Sequence, residues 1–133
     1  SQLVEAASVE DAKKVLATAV TPYWETHYTF GSTSVRNDKN LSPFSLNLLC
    51  INTVVPILFA YGRHRGEEKY CDRAFDFLEQ LRPENNYIIR LWQQSGLVVD
   101  NAGDSQALIQ LKKEYCDKKE CLRCRFGYEY LKL

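Results

Sequence analysis

Apolar positions recur along this chain with the period of helices, broken by short polar stretches. Ser8 precedes "VEDAKKVLATAV", where Val9, Ala12, Leu16 and Val20 repeat at helical spacing behind an acidic first turn, so a helix capped by Ser8 is predicted over residues 9–20. Thr21-Pro22 joins a capping residue to a proline at the first helical position. It predicts a second helix through "YWETHYTFG" that stops at Gly31. Residues 32–41, "STSVRNDKNL", are polar and turn-rich and are predicted to be an exposed loop. Ser42-Pro43 opens "FSLNLLCINTVVPILFAYGRHRG", apolar on nearly every side, which predicts a central helix. Pro56 cannot donate a backbone bond and its ring crowds the carbonyl of Asn52, so a kink is predicted near Asn52 and Thr53.

Residues 67–81 are amphipathic, with Tyr70, Cys71, Ala74, Phe75, Leu78 and Leu81 as the apolar stripe. "RPENNYIIRLWQQSG" predicts a helix from about Pro83 to Gly96, and "LVVDNAG" fits either a short strand or a loop. Asp104 or Ser105 then caps "QALIQLKKEYC". The fold class expected is all-α, a compact bundle of five or six helices around the central apolar one with little or no sheet. At 133 residues the chain fits a single helical domain large enough to bury a core without a metal.

Composition changes this picture little, since 45% hydrophobic and 26% charged residues lie within the globular range. Seventeen basic residues balance seventeen acidic ones, so no overall field draws the molecule to nucleic acid or an anionic membrane. The asymmetry is local. From Lys112 onward seven basic residues face four acidic ones, and Lys112, Lys113, Lys118, Lys119, Arg123 and Arg125 are the candidate phosphate contacts, to be weighed against a solvated surface. The apolar run at residues 46–61 contains Asn47, Asn52, Thr53 and Pro56 and is shorter than the roughly 20 residues of a bilayer span, so no membrane is expected. The start "SQLVEAASVE" lacks methionine and a signal pattern, which suggests a piece of a longer protein. An odd cysteine count without a secretory signal favours a reducing, cytoplasmic setting.

Three of the five cysteines fall in "YCDKKECLRCRFGYEY" as C-x4-C-x2-C: Cys116, Cys121 and Cys124. The C-x2-C step lets two sulfurs aim at one centre, and the lysines and arginines around it favour thiolate. A closed zinc site needs a fourth ligand, and none follows Cys124, so it must come from His27, Cys71, Cys50 or His64. Cys50 and Cys71 lie on apolar faces, where cysteine packs as a small hydrophobe. His27 sits in an aromatic group with Tyr23, Trp24 and Tyr28 that reads more readily as core than as a binding platform. The spacing also equals the run of plant-type ferredoxins, whose fourth cysteine comes later in the chain. One zinc or iron–sulfur centre and inert packing both remain open for these thiols. No G-x-S-x-G or G-x-x-x-x-G-K-[ST] occurs, no carboxylate pair is set apart from solvent, and no catalytic residues are assigned.

The phrases "TPYWETHYTFG", "NLLCINTVVPILFAYG", "NAGDSQALIQLKKEYC" and "CLRCRFGYEYL" together resemble the C-terminal part of an uncharacterised bacterial family, domain of unknown function 2851, over about residues 3–131. The resemblance implies no established activity. It implies a longer protein whose N-terminal portion is similar to restriction-endonuclease-like folds, leaving any catalytic residues outside this chain, and it sharpens interest in the three cysteines. The expected function is a non-catalytic helical structural or interaction module that packs on its own N-terminal domain or a protein partner. The alternative is a cysteine-rich accessory domain contacting metal or nucleic acid.

Overall fold

The computed structural model describes residues 2–131, and these are mainly α-helical with one small hairpin. Two compact units divide the chain, Ser1–Phe77 and Leu78–Leu133.

In the first unit, α1 (Gln2–Glu5) leads to α2 (Val9–Leu16), capped as predicted by Ser8, whose hydroxyl accepts from the Asp11 amide at 3.1 Å. The Ser8 hydroxyl also donates to the Asp11 carboxylate, and this bond holds the Asp11 pKa below its ordinary value. Val9 and Ala12 are buried; the helix stops at Leu16, short of Val20. Thr21-Pro22 starts α3 as expected, but α3 spans only Pro22–Glu25. The predicted continuation to Gly31 is replaced by a hairpin, β1 (His27–Thr29) against β2 (Ser32–Thr33), antiparallel, with His27 opposite Thr33. The reason is local. Aromatic and β-branched residues favour an extended backbone, and Gly31 takes the left-handed φ of 77° that the turn requires. Beyond Thr33 the loop is mostly exposed, as expected.

The apolar run forms one continuous helical stretch, α4 (Pro43–Leu49), a π-helical turn (Cys50–Val54) and α5 (Val55–Arg65). Ser42 caps it, accepting from the Ser45 amide. The disturbance predicted near Asn52 and Thr53 is this π turn. Pro56 has no N–H for the Asn52 carbonyl, and the ladder widens so that the Val55 amide bonds Cys50 instead. Cys50, Ile51, Val54, Val55, Leu58 and Gly62 are buried, a single stripe, while Phe44, Ile57 and Phe59 stay exposed. The stretch Pro43–Arg65 exceeds the apolar run read from the sequence. By length and composition it could cross a membrane, with mean hydropathy 1.7, and 28% of that window is buried. Gly66, at φ 69°, ends the stretch as a left-handed cap.

The next helix, α6 (Glu68–Gln80), buries Cys71, Ala74 and Phe77; Phe77 replaces Phe75, which is exposed, in the predicted stripe. The Arg73 guanidinium donates to the carbonyls of Val4 and Ala6, both at 3.1 Å, fastening the N-terminal segment to α6. In the second unit α7 (Tyr87–Gln94) begins four residues after the predicted Pro83, behind Asn86, which caps the Ile89 amide. A loop carries Val98 exposed and Val99 buried to α8 (Ala102–Leu111), which Asn101 caps in place of Asp104 or Ser105. Ser105 is fully buried instead, donating to the Ala102 carbonyl and accepting from the Glu84 amide. A second π turn (Lys112–Cys116) and a short α9 (Arg125–Leu131), which the pattern did not predict, complete the described chain.

Gly62 supplies a test of the first unit. A β-carbon there would lie 2.8 Å from the Cys71 sulfur and 3.0 Å from both the Cys71 nitrogen and the Glu67 carbonyl oxygen. Alanine gains about 1 kcal/mol of helix propensity over glycine, whereas overpacking costs typically about 1–3 kcal/mol. Backbone atoms cannot yield cheaply, so Gly62→Ala is expected to lower the urea midpoint; a raised midpoint would show that α5 and α6 have room to part.

Candidate functional site

The site that forms in the second unit is a pocket walled by thiols. Asn86 and Asn101 start α7 and α8, and the Trp92 indole N–H donates to the Leu108 carbonyl at 3.2 Å, locking the two helices together. The π turn at the end of α8 bonds the Asp117 amide to Lys112 at 2.8 Å, and the Glu120 amide reaches back to Tyr115 at 2.9 Å. Between them Lys119 adopts the left-handed φ of 57°, costly for a residue with a β-carbon, and its amide bonds the Cys116 carbonyl. The chain then turns again, with the Cys124 amide shared between the carbonyls of Glu120 and Cys121, before the Tyr128 amide bonds Cys124 and α9 begins.

These turns bring Cys116, Cys121 and Cys124 to one cavity of about 260 Å³, shared with Trp92, Leu108, Leu111 and Phe126. Cys124 is buried; Cys116 and Cys121 are exposed. Burial, then the neighbouring Cys124 and Cys121, push the Cys116 thiol above its ordinary pKa. The protonated form is therefore favoured at Cys116, contrary to the thiolate expected from the nearby lysines and arginines. Among the described residues no three His, Cys, Asp or Glu side chains are arranged to hold a metal ion. The three cysteines meet as a cavity wall.

The candidate fourth ligands all lie in the first unit, and His27 and Cys71 have other partners there. The His27 ring stacks on Tyr23 at 3.9 Å, with Nδ1 within hydrogen-bonding distance of the Tyr23 carbonyl and the Thr26 hydroxyl. The Cys71 thiol faces the Phe59 carbonyl at 3.6 Å, beside Gly62. Cys50 is fully buried, and that burial raises its pKa. His64 lies exposed near the end of α5. The aromatic group read as core is not buried: Trp24 is half-buried, Tyr23 and Tyr28 are 41% and 68% exposed, and neighbouring Phe30 is 83% exposed.

Of the six candidate phosphate contacts, four have acidic partners close by in sequence. Lys112 pairs with Asp117, Lys118 with Glu114, Arg123 with Glu120 and Arg125 with Glu129. Hydrogen bonds to those carboxylates raise the pKa of Lys112 and Lys118. Lys113 and Lys119 make no ion pair among the described residues. Four of the six candidate cations are thus paired with acidic residues of the same segment. The pocket's other walls, Trp92, Leu97, Leu108 and Leu111, were not singled out from the sequence; the helical period of α7 and α8 was the only signal for Trp92, Leu108 and Leu111, and Leu97 lies in the loop between those helices.

The chain belongs to the family described as Protein of unknown function (DUF2851), which matches residues 1–87. Neither a curated protein nor a solved structure matches it.

Gly127 holds the far wall of the pocket. A β-carbon there would fall 2.2 Å from the Cys121 carbonyl oxygen and 2.9 Å from its carbon. All the atoms it would meet are Cys121 backbone, which cannot swing aside as a side chain can, so Gly127→Ala is expected to pry α9 off the turn. Cys124, 7% exposed in the native chain, should then alkylate at least about tenfold faster, the effect of about 1.4 kcal/mol on a local opening equilibrium. Unchanged labelling would show that α9 does not cover Cys124.

Proposed function

We propose that this domain is a non-catalytic helical module that docks on a protein surface, either its own N-terminal domain or a separate partner. The observation that carries the reading is the uncovered apolar flank of the first unit. In Pro43–Arg65 only one stripe is buried, and beside it Ile57 and Phe59 are 46% and 40% exposed. Phe75 of α6, 56% exposed, meets Phe59 edge to face at 5.7 Å, so two rings form one apolar surface. Contiguous exposed apolar groups of this kind mark interaction sites. A protein partner accounts for the flank better than a bilayer does, because Cys50, Ile51, Val54, Val55 and Leu58 already commit the opposite side of the same helical stretch to a core.

The test is binding between this chain and the separately expressed N-terminal domain that the resemblance implies, with lipid vesicles as the competing surface. Phe59→Glu with Phe75→Glu is expected to weaken binding at least about 100-fold, the scale of a lost hot spot of about 2.7 kcal/mol, while circular dichroism stays unchanged. Binding that survives both charges, or flotation with vesicles in place of protein binding, overturns the reading.

A second reading, a cysteine-rich accessory domain contacting metal or nucleic acid, draws on the three cysteines at one pocket. Elemental analysis of protein purified without chelator tests its metal arm. About one equivalent of zinc or iron, lost on Cys121→Ser, supports it; metal-free protein removes that arm. Its nucleic-acid arm draws on Lys113 and Lys119, the two of the six without an ion pair among the described residues, and predicts retention that falls steeply with salt.

A further inference from the structure

We infer that Cys121 and Cys124 form an oxidation site at which a peroxide closes an intramolecular disulfide across one turn. Three observations meet there. The Cys124 amide bonds the Cys121 carbonyl at 3.3 Å, making the two cysteines the ends of one four-residue turn. Such a turn holds its end Cα atoms within about 7 Å, and a disulfide spans Cα atoms about 4.4–6.8 Å apart. Both residues also line the same cavity, so their side chains leave the turn toward a common space. Finally, their exposure differs in the useful sense. Cys121 is open to a reagent and Cys124 is buried beside it.

The chemistry follows from that asymmetry. The Cys121 sulfur attacks one oxygen of hydrogen peroxide, the O–O bond breaks, a sulfenic acid forms and water leaves with the thiol proton. The Cys124 sulfur then attacks the Cys121 sulfur, the S–O bond breaks and a second water departs with the Cys124 proton. Two thiols are oxidised by two electrons and one peroxide is reduced to two waters. Gly127, packed on the Cys121 backbone, holds the turn in place for the second step. Cys50 and Cys71 are buried elsewhere in the fold, and Cys116 shares the cavity but is not an end of this turn.

The experiment takes the full chain, reduced and stripped with chelator, and exposes it to hydrogen peroxide before alkylation in denaturant. Two of the five free thiols are expected to be lost and to return with dithiothreitol. Trypsin cuts after Arg123, so Cys121 and Cys124 leave on separate peptides, and the unreduced digest should show those two joined. Cys116→Ser should keep the bridge, while Cys121→Ser and Cys124→Ser should each abolish it. The unsubstituted digest decides the matter even if a variant misfolds. The inference is overturned by five thiols that survive a dose oxidising free dithiothreitol, by thiol loss that dithiothreitol does not reverse, or by a bridge that includes Cys116 or joins two chains.

Discussion

A proline without an amide hydrogen, set inside the most apolar stretch of the chain, shapes the first unit. A run of buried positions at 50, 54, 58 and 62 steps by four, and in a regular helix of about 3.6 residues per turn each such step drifts by about 40°. Over three steps the stripe would wrap out of the core. The π turn forced by Pro56 inserts a wider turn under Cys50–Val54 and takes up part of that drift. The residue that breaks the hydrogen-bond ladder therefore also lets one side of the stretch stay buried. Asn52, whose own carbonyl is the one crowded by the proline ring, turns its side-chain amide back to the Leu48 carbonyl at 3.0 Å.

The second unit meets a different constraint, a reversal of direction within a few residues after α8. Its solution uses backbone in place of side-chain bulk. Lys119 accepts a left-handed φ, the Cys124 amide is shared between two carbonyls, and Gly127 allows α9 to touch the Cys121 peptide directly. Of the three thiols only Cys124 is buried by this packing, while Cys116 and Cys121 stay exposed at the cavity. Cysteine is suited to such a place because it is compact, apolar when protonated and tolerant of burial. The raised Cys116 pKa follows from the same packing, since each thiolate formed there would lose water and face two sulfurs.

Much of the helical pattern was legible because caps and period are local signals. Ser8 and Ser42 cap as their neighbours suggested, and α6 lies almost where its stripe placed it. The misses have physical causes. Asn86 and Asn101 won the caps of α7 and α8 because Pro83 lies in an irregular segment and Ser105 is needed in the interior, where its hydroxyl serves the Glu84 amide. The hairpin at residues 27–33 was hidden behind a proline helix start that lasts a single turn. α9 was hidden by Gly127, a poor helix former that is present for a tertiary contact. Of the pocket, cysteine spacing exposed one wall. The other comes from Trp92 and Leu108 on separate helices, and no local pattern announces a long-range contact.

The family match and the pocket speak for different stretches. Residues 1–87 carry the family assignment and include Phe59 and Phe75, so the apolar flank lies in the matched region. The pocket cysteines lie beyond it, and their case rests on geometry alone. That geometry also bears on an electrostatic role for the cysteine segment, because exposed ion pairs are weak and readily exchanged. A cation committed to a nearby carboxylate must give up that partner, or share it, to meet a phosphate, and four of the six candidate cations are so committed. Thiols facing a space walled by indole, phenyl and leucine groups have no such prior claim on them. Lys113 and Lys119 make no ion pair among the described residues, so the segment sets two uncommitted cations beside its thiols.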